Sequence, residues 1–212
     1  MNIRDLVFSA DLKALHTLLS AHPELANREI SLPDNPATAH PLHRICDGVY
    51  CGYYSEETGL EVAKLFLNHG AHLNDIHLEG IDSPLTAACS LRCDQLALFY
   101  IQQEALIDHR GCHGGTALHW ASWCGRDVVV DKLVTLNPDI NQLCIDFKST
   151  ALFWAIHGYK FGEEDNCHHQ VNCARILLDH GADLSIPNFE GYLPVQLIED
   201  GDKEFLELFH KR

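Results

Sequence analysis

Apolar residues recur along this chain at helical spacing, in pairs of short stretches separated by polar turns. Leu6, Val7, Leu12, Leu15, Leu18 and Leu19 predict two helices with a break near Ser9-Ala10-Asp11, the second closed by Pro23–Asn27. Ser31 to Ala39, with Pro33 and Pro36, reads as loop. Pro41 suits the first turn of a third helix, where a missing N–H costs nothing, and that helix is expected to end near Asp47-Gly48. Its partner runs from Glu61 to Leu67 and stops at His69-Gly70, with glycine in the usual left-handed closing position.

The same two-helix pattern returns three times. One pair starts at Pro84 and resumes around Gln95–Gln102. The next starts at Thr116, breaks at Cys124-Gly125 and continues through Val128, Val129, Val130, Leu133 and Val134. The third starts at Thr150 and resumes at Val171–Leu178. A short, charged segment from Pro194 to Arg212 ends the chain. Helix starts fall in register at Pro41-Leu42-His43, Pro84-Leu85-Thr86, Ala117-Leu118-His119, Ala151-Leu152-Phe153 and Pro194-Val195-Gln196, at intervals of 43, 33, 34 and 43 residues. The two longer intervals carry insertions at the same place, Val49 to Thr58 and Tyr159 to His168. Each opens Gly-x-x-x-Gly and continues with aromatic and then acidic residues (Tyr50, Tyr53, Tyr54, Glu56, Glu57; Tyr159, Phe161, Glu163, Glu164, Asp165).

The central copy, Gly114-Gly115-Thr116-Ala117-Leu118-His119-Trp120-Ala121, resembles the ankyrin signature T-P-L-H-x-A, and two of the four intervals match the ankyrin period of about 33 residues. Ala71-His72-Leu73-Asn74 is similar to the family's G-A-D-h-N tail. The resemblance implies an all-α ankyrin-repeat solenoid of helix-turn-helix units with projecting finger loops, free-standing, with two repeats carrying inter-helix insertions. The expected organisation is one domain over 1–212 with five to six units: an N-terminal cap at 2–38, then 39–82, 83–115, 116–149 and 150–192, and a C-terminal cap at 193–212. Thr116, His119 and His43 are then scaffold, tying finger backbone to inner helix. Trp120 and Trp154, equivalent in two units, are expected to serve packing.

Ankyrin proteins usually bind with their finger tips and the exposed side of their inner helices. Carried over, this marks His77, Glu79 and Asp82, then Arg110, Cys112 and His113, then Asp146 and Phe147, then Phe189 and Tyr192. The matching inner-helix positions are Asp47, Ser90, Trp123 and His157. Trp123 is the expected anchor, because large aromatics dominate interface hot spots. Tyr53, Tyr54 and Tyr159 in the insertions are further candidates, since exposed tyrosine-rich loops make good contact surfaces.

Charge narrows the partner. The formal net charge of −15 disfavours nucleic acid and anionic membrane, which need clustered Lys and Arg, and favours a basic protein. No apolar run approaches the roughly 18 residues of a membrane span, and the first six residues include an acid and no apolar core of a secretory signal. Nine cysteines, an odd number without a framework, point to reduced thiols. Together these predict a monomeric cytoplasmic interaction protein without a cofactor, acting as an adaptor, an inhibitor or a toxin-neutralising protein.

The competing class is a metal-binding or thiol-dependent enzyme. Cys112, His113, His119 and Cys124 are poor ligands as a set, because His119 and Cys124 stand roughly 140° apart around one helix. The second insertion is better: His169 and Cys173 would be i, i+4 on one helix face, with Cys167, His168 and His157 able to approach, and zinc favours such ligands. No G-x-S-x-G, P-loop or H-E-x-x-H pattern occurs.

Overall fold

The computed structural model describes residues 2–75, 80–162 and 167–210. Among these, eleven α-helices account for most of the regular structure. The chain divides into two compact units, one built from residues up to 78 together with 82–106, the other from 79–81 together with 107–212.

The N-terminal unit contains α1 (Ile3–Ser9), α2 (Leu12–Ala21), α3 (Pro41–Tyr50), α4 (Glu56–Asn68), α5 (Pro84–Ser90) and α6 (Asp94–Gln102). Consecutive helices pair, α1 with α2, α3 with α4 and α5 with α6. Odd helices also pack on odd and even on even, so the unit is two rows of helices. This is the arrangement expected of a helical repeat array. The break at Ser9–Asp11 closes α1 with Ala10 in the left-handed region, and Asp11 then caps α2 by accepting from the Ala14 N–H at 3.0 Å. The segment expected as loop contains a small antiparallel ladder, β1 (Ile30–Ser31) against β2 (Thr38–Ala39).

The C-terminal unit contains α7 (Ala117–Trp123), α8 (Asp127–Val134), α9 (Ala151–Phe161), α10 (Cys167–Asp179) and α11 (Lys203–His210), with a short 3-10 turn at Pro194–Leu197. Here α7 packs on α9, α8 on α10, and α11 on α10. Small or slim residues at the contacts, Ala117, Ala121, Ala151, Ala155 and Ala174, are all buried and let the helices approach.

Asparagines repeat one bridging geometry from unit to unit. Asn27 donates to the Gly70 carbonyl and accepts from the His72 N–H. Asn74 does the same with Glu104 and Leu106, and Asn141 with Gly181 and Asp183. Each side-chain amide satisfies one donor and one acceptor of the next segment's backbone, where the chain leaves a helix and would otherwise expose both.

The inserted residues lengthen helices rather than forming loops alone. Expected to end near Gly48, α3 continues to Tyr50, and α9 runs through Tyr159 to Phe161. Their partners start early, α4 at Glu56 and α10 at Cys167. The two long repeats thus hold helices of 10 and 13 and of 11 and 13 residues. The short ones hold 7 and 9 and 7 and 8. A helix already nucleated gains one hydrogen bond per residue added, so extending it is easier than building a new ordered loop.

Candidate functional site

The motif around Thr116 organises the C-terminal unit. The Thr116 N–H and hydroxyl both lie on Nδ1 of His119, at 3.2 and 2.9 Å. The other ring nitrogen, Nε2, donates to the carbonyls of Gln142 and Ser149 at 3.1 and 3.2 Å. This arrangement needs a neutral imidazole, accepting at one nitrogen and donating at the other. Burial enforces it, holding the His119 pKa down at about 4. In the next repeat Phe153 replaces the histidine. Its N–H still caps on the Thr150 hydroxyl at 3.2 Å, and its ring fills the space as buried core.

His119 fixes the start of α7 and so aims the helix's other face. Trp120 and Trp123, three residues apart on α7, flank Trp154 of α9. Trp154 is buried and its indole N–H donates to the Ser149 hydroxyl at 3.1 Å. Trp120 and Trp123 meet it edge to face, with centroids 5.0 and 6.2 Å away and planes at 85° and 76°. Trp123 stacks on His157 at 4.8 Å and 29°. Burial lowers the His157 pKa, which favours the neutral ring at pH 7.

Two glycines permit this crowding. A Cβ on Gly158 would run into the Trp123 carbonyl oxygen, so only glycine lets α9 pass so close to the end of α7. A Cβ on Gly115 would press on Trp154 at 3.0 Å and on the Trp120 ring at 3.4 Å. Gln170 of α10, itself buried, donates to the same Trp123 carbonyl at 3.2 Å and closes the helix end.

The finger segments form the remaining wall. The His113 carbonyl accepts from the N–H groups of Ile145 and Asp146, and the Phe147 carbonyl from that of Phe189. The tip Phe189-Glu190 is shaped by Asn188, whose side-chain oxygen accepts from the Glu190 and Tyr192 N–H groups at 3.1 and 2.9 Å. His113 donates to Asp146 at 3.0 Å and lies 5.1 Å from the Phe147 ring. The result is a cavity of about 430 Å³, lined by Trp120, Trp123, Trp154, Phe147, Phe153, Phe189, His113 and His157, with Ser149, Asn188 and Glu190 as the polar remainder. That volume lies within the range of small-ligand and side-chain pockets.

Trp123, His157, His113, Phe147 and Phe189, named from the sequence, thus meet at one cavity, with Asp146 beside it. Trp120 and Trp154, expected only to pack, both pack and line it. Arg110 is directed elsewhere, donating to the Leu143 carbonyl at 3.1 Å, and Cys112 does not line the cavity. Glu79 and His77 lie outside the described residues. Asp82 belongs to the N-terminal unit, where its main-chain carbonyl takes a hydrogen bond from His43. Glu190 was missed: it marks no helix, and nothing local in the sequence tells which finger acid faces aromatic rings.

The insertion tyrosines divide. Tyr54 turns inward, against expectation: its ring fills the space over Gly48 and its hydroxyl donates to the Ile45 carbonyl at 3.3 Å. Tyr159 also faces inward, edge-on to Phe205 of α11 at 4.9 Å and hydrogen-bonded to Asp202. Neighbouring Lys160 bonds Glu199 and Asp202 at 3.0 and 2.9 Å. Glu56 accepts from the Leu96 N–H at 3.0 Å and so caps α6. Tyr50 and Tyr53 stay exposed, Tyr53 resting edge-on against Phe8 at 5.4 Å.

Of the alternative metal ligands, His169 donates to Asp127 at 3.1 Å, Cys173 is buried, and the Cys167 side chain lies outside the described residues. Among the described residues no group of three or more His, Cys, Asp or Glu side chains is gathered as a metal site.

With this geometry in place, one comparison bears on the class of protein. Residues 113–144 match the family model described as Ankyrin repeat. The matched stretch begins at the His113 turn and carries the Thr116–His119 tie, α7 and α8. Ankyrin repeats are in general protein-binding modules and typically non-catalytic. Among the described residues no helix is long and apolar enough to cross a membrane.

Proposed function

We propose that the chain is a single array of five to six ankyrin units, a solenoid over 1–212, and a non-enzymatic module that binds a basic partner protein. The observation that carries this reading is the aromatic cavity, where Trp123, His157, His113 and Phe147 converge in a chain of net charge −15. Half-buried aromatics around a recess are the usual form of an interface hot spot. The acidic balance would steer a basic partner and reject an acidic one. Adaptor, inhibitor and toxin-neutralising roles all fit such a module. The finger residues Arg110, Cys112, Glu79 and Asp82 and the insertion tyrosine Tyr53 are further proposed contacts, each within its own unit.

The test is cross-linking of the full chain in its native extract, identification of the captured protein, and titration of that purified partner. Trp123→Ala is expected to weaken binding about thirtyfold, the equivalent of about 2 kcal/mol, and to lower stability by about 1 kcal/mol through the lost stack on His157. Association should slow as salt rises. Unchanged partner affinity in Trp123→Ala would remove the cavity from the interface.

A further inference from the structure

We infer that the aromatic cavity of the C-terminal unit receives a methylated ammonium group, carried on a trimethylated lysine side chain or on a small quaternary amine. This deepens the protein-binding reading and rests on it for the source of the ligand.

The lining selects a cation with an apolar coat. Its walls are mainly aromatic rings, Trp120, Trp123, Trp154, Phe147 and Phe189, and an aromatic ring attracts a positive charge that stands over its face within about 6 Å of the centroid. Glu190 is the one carboxylate of the lining, on an exposed tip held by Asn188. No Lys or Arg lines the cavity, and burial keeps His157 from competing as a cation. The only formal charge that an anion would meet from Lys, Arg, Asp or Glu in this lining is the like charge of Glu190.

The polar lining also argues for methylation. Ser149 already accepts from the Trp154 indole, and the Asn188 oxygen already accepts two backbone N–H groups. A bare ammonium brings three donors; Glu190, at one wall, can take some of them and the rest would face the rings. A trimethylated ammonium brings charge and apolar surface but no N–H to satisfy. The recess, about 430 Å³, has room for such a head and part of its stem.

All three tryptophans of the chain line this cavity, so intrinsic fluorescence reports it directly. The full chain is titrated with acetylated, amidated trimethyllysine and with choline. Each is set against its neutral isostere, in which carbon replaces the quaternary nitrogen, and against unmethylated acetyl-lysine amide. The methylated cations should quench or enhance emission saturably and bind at least about tenfold more tightly than the neutral or unmethylated probes. Glu190→Gln should weaken the cations severalfold and leave the neutral isosteres unaffected. Tighter binding of the lysine probe than of choline assigns the group to a protein; the reverse assigns it to a small molecule. Equal binding of cation and isostere, or no saturable change with any probe, overturns the inference. If that happens while Trp123→Ala still weakens partner binding, the protein-binding reading stands and only the cation is lost.

Discussion

The same two positions of the inner helices are filled by opposite chemistry in the two units. In α3 they hold Arg44 and Asp47, and in α5 Ala87 and Ser90; in α7 they hold Trp120 and Trp123, and in α9 Trp154 and His157. Arg44 and Asp47 form a nearly buried ion pair at 2.6 Å, and Arg44 also donates to the carbonyls of Ile30 and Ala37. Those bonds stitch α3 to the β1–β2 hairpin and leave the guanidinium nothing to offer a ligand. The tryptophans of α7 both meet Trp154 of α9 edge to face and still leave a recess. A repeat scaffold constrains where a side chain points, not what it is. One register can therefore serve internal cross-linking in one unit and line an aromatic recess in another.

The glycines seven residues beyond the motif's start show the same divergence. Gly48 makes room for Tyr54 of its own insertion, whereas Gly158 makes room for the backbone of Trp123 at the end of α7, the preceding inner helix. The first insertion folds Tyr54 back over its own helix and reaches α6 through Glu56 and Phe8 through Tyr53. The second uses Tyr159 and Lys160 to hold the segment carrying Glu199, Asp202 and Phe205.

Three measurements press on this contrast. The largest effect is expected from Asp47→Ala. It strands the Arg44 guanidinium, 5% exposed, and should cost about 3 to 4 kcal/mol in urea unfolding. A cost within about 0.5 kcal/mol would mean that the two carbonyls suffice and that the ion pair is not what holds the hairpin. Next is the pH dependence set by His119. Its folded pKa of about 4 lies below the unfolded value of about 6.5, so the unfolded chain binds the extra proton between them. The stability it confers is complete above pH 6.5 and is lost as pH falls toward 4, by about 3 kcal/mol in all. Unfolding midpoints from pH 7.5 to 4.5 should slope less in His119→Gln than in the parent. His40, also depressed to about 4 by burial, leaves part of the slope in place. The smallest effect is the difference between two alanines. Gly158→Ala meets immovable backbone and should cost about 2 kcal/mol. Gly48→Ala meets a tyrosine ring that can swing out, and helix propensity offsets much of its cost, leaving under about 1 kcal/mol. Equal costs would erase the distinction between the two insertions.

Much of this was legible along the chain because helical spacing and motif register are local. The break at Ser9–Asp11, the helix starts at Pro41 and Pro84, and the Thr116–His119 tie all depend on residues within four of each other. Tyr54, Tyr159 and Glu56 were not legible in the same way. An exposed tyrosine and an inward one look alike in sequence, and only Gly48, Phe205 and the α6 N-terminus show where these side chains go. Glu190 was hidden for the same reason, since its neighbours in space are tryptophans of two helices many residues away.

The sequence by itself determined the period, the paired helices, the scaffold role of His119 and the bulk charge, since each follows from spacing, capping chemistry or a count. The tertiary structure alone decided that Trp120, Trp123 and Trp154 meet around one recess with Phe147, Phe189 and Glu190 at its wall. That outcome depends on how closely α9 can approach α7, and the approach is set by Gly158 against the Trp123 carbonyl. Packing distance between non-adjacent segments is a property of the folded chain, and no residue states it alone.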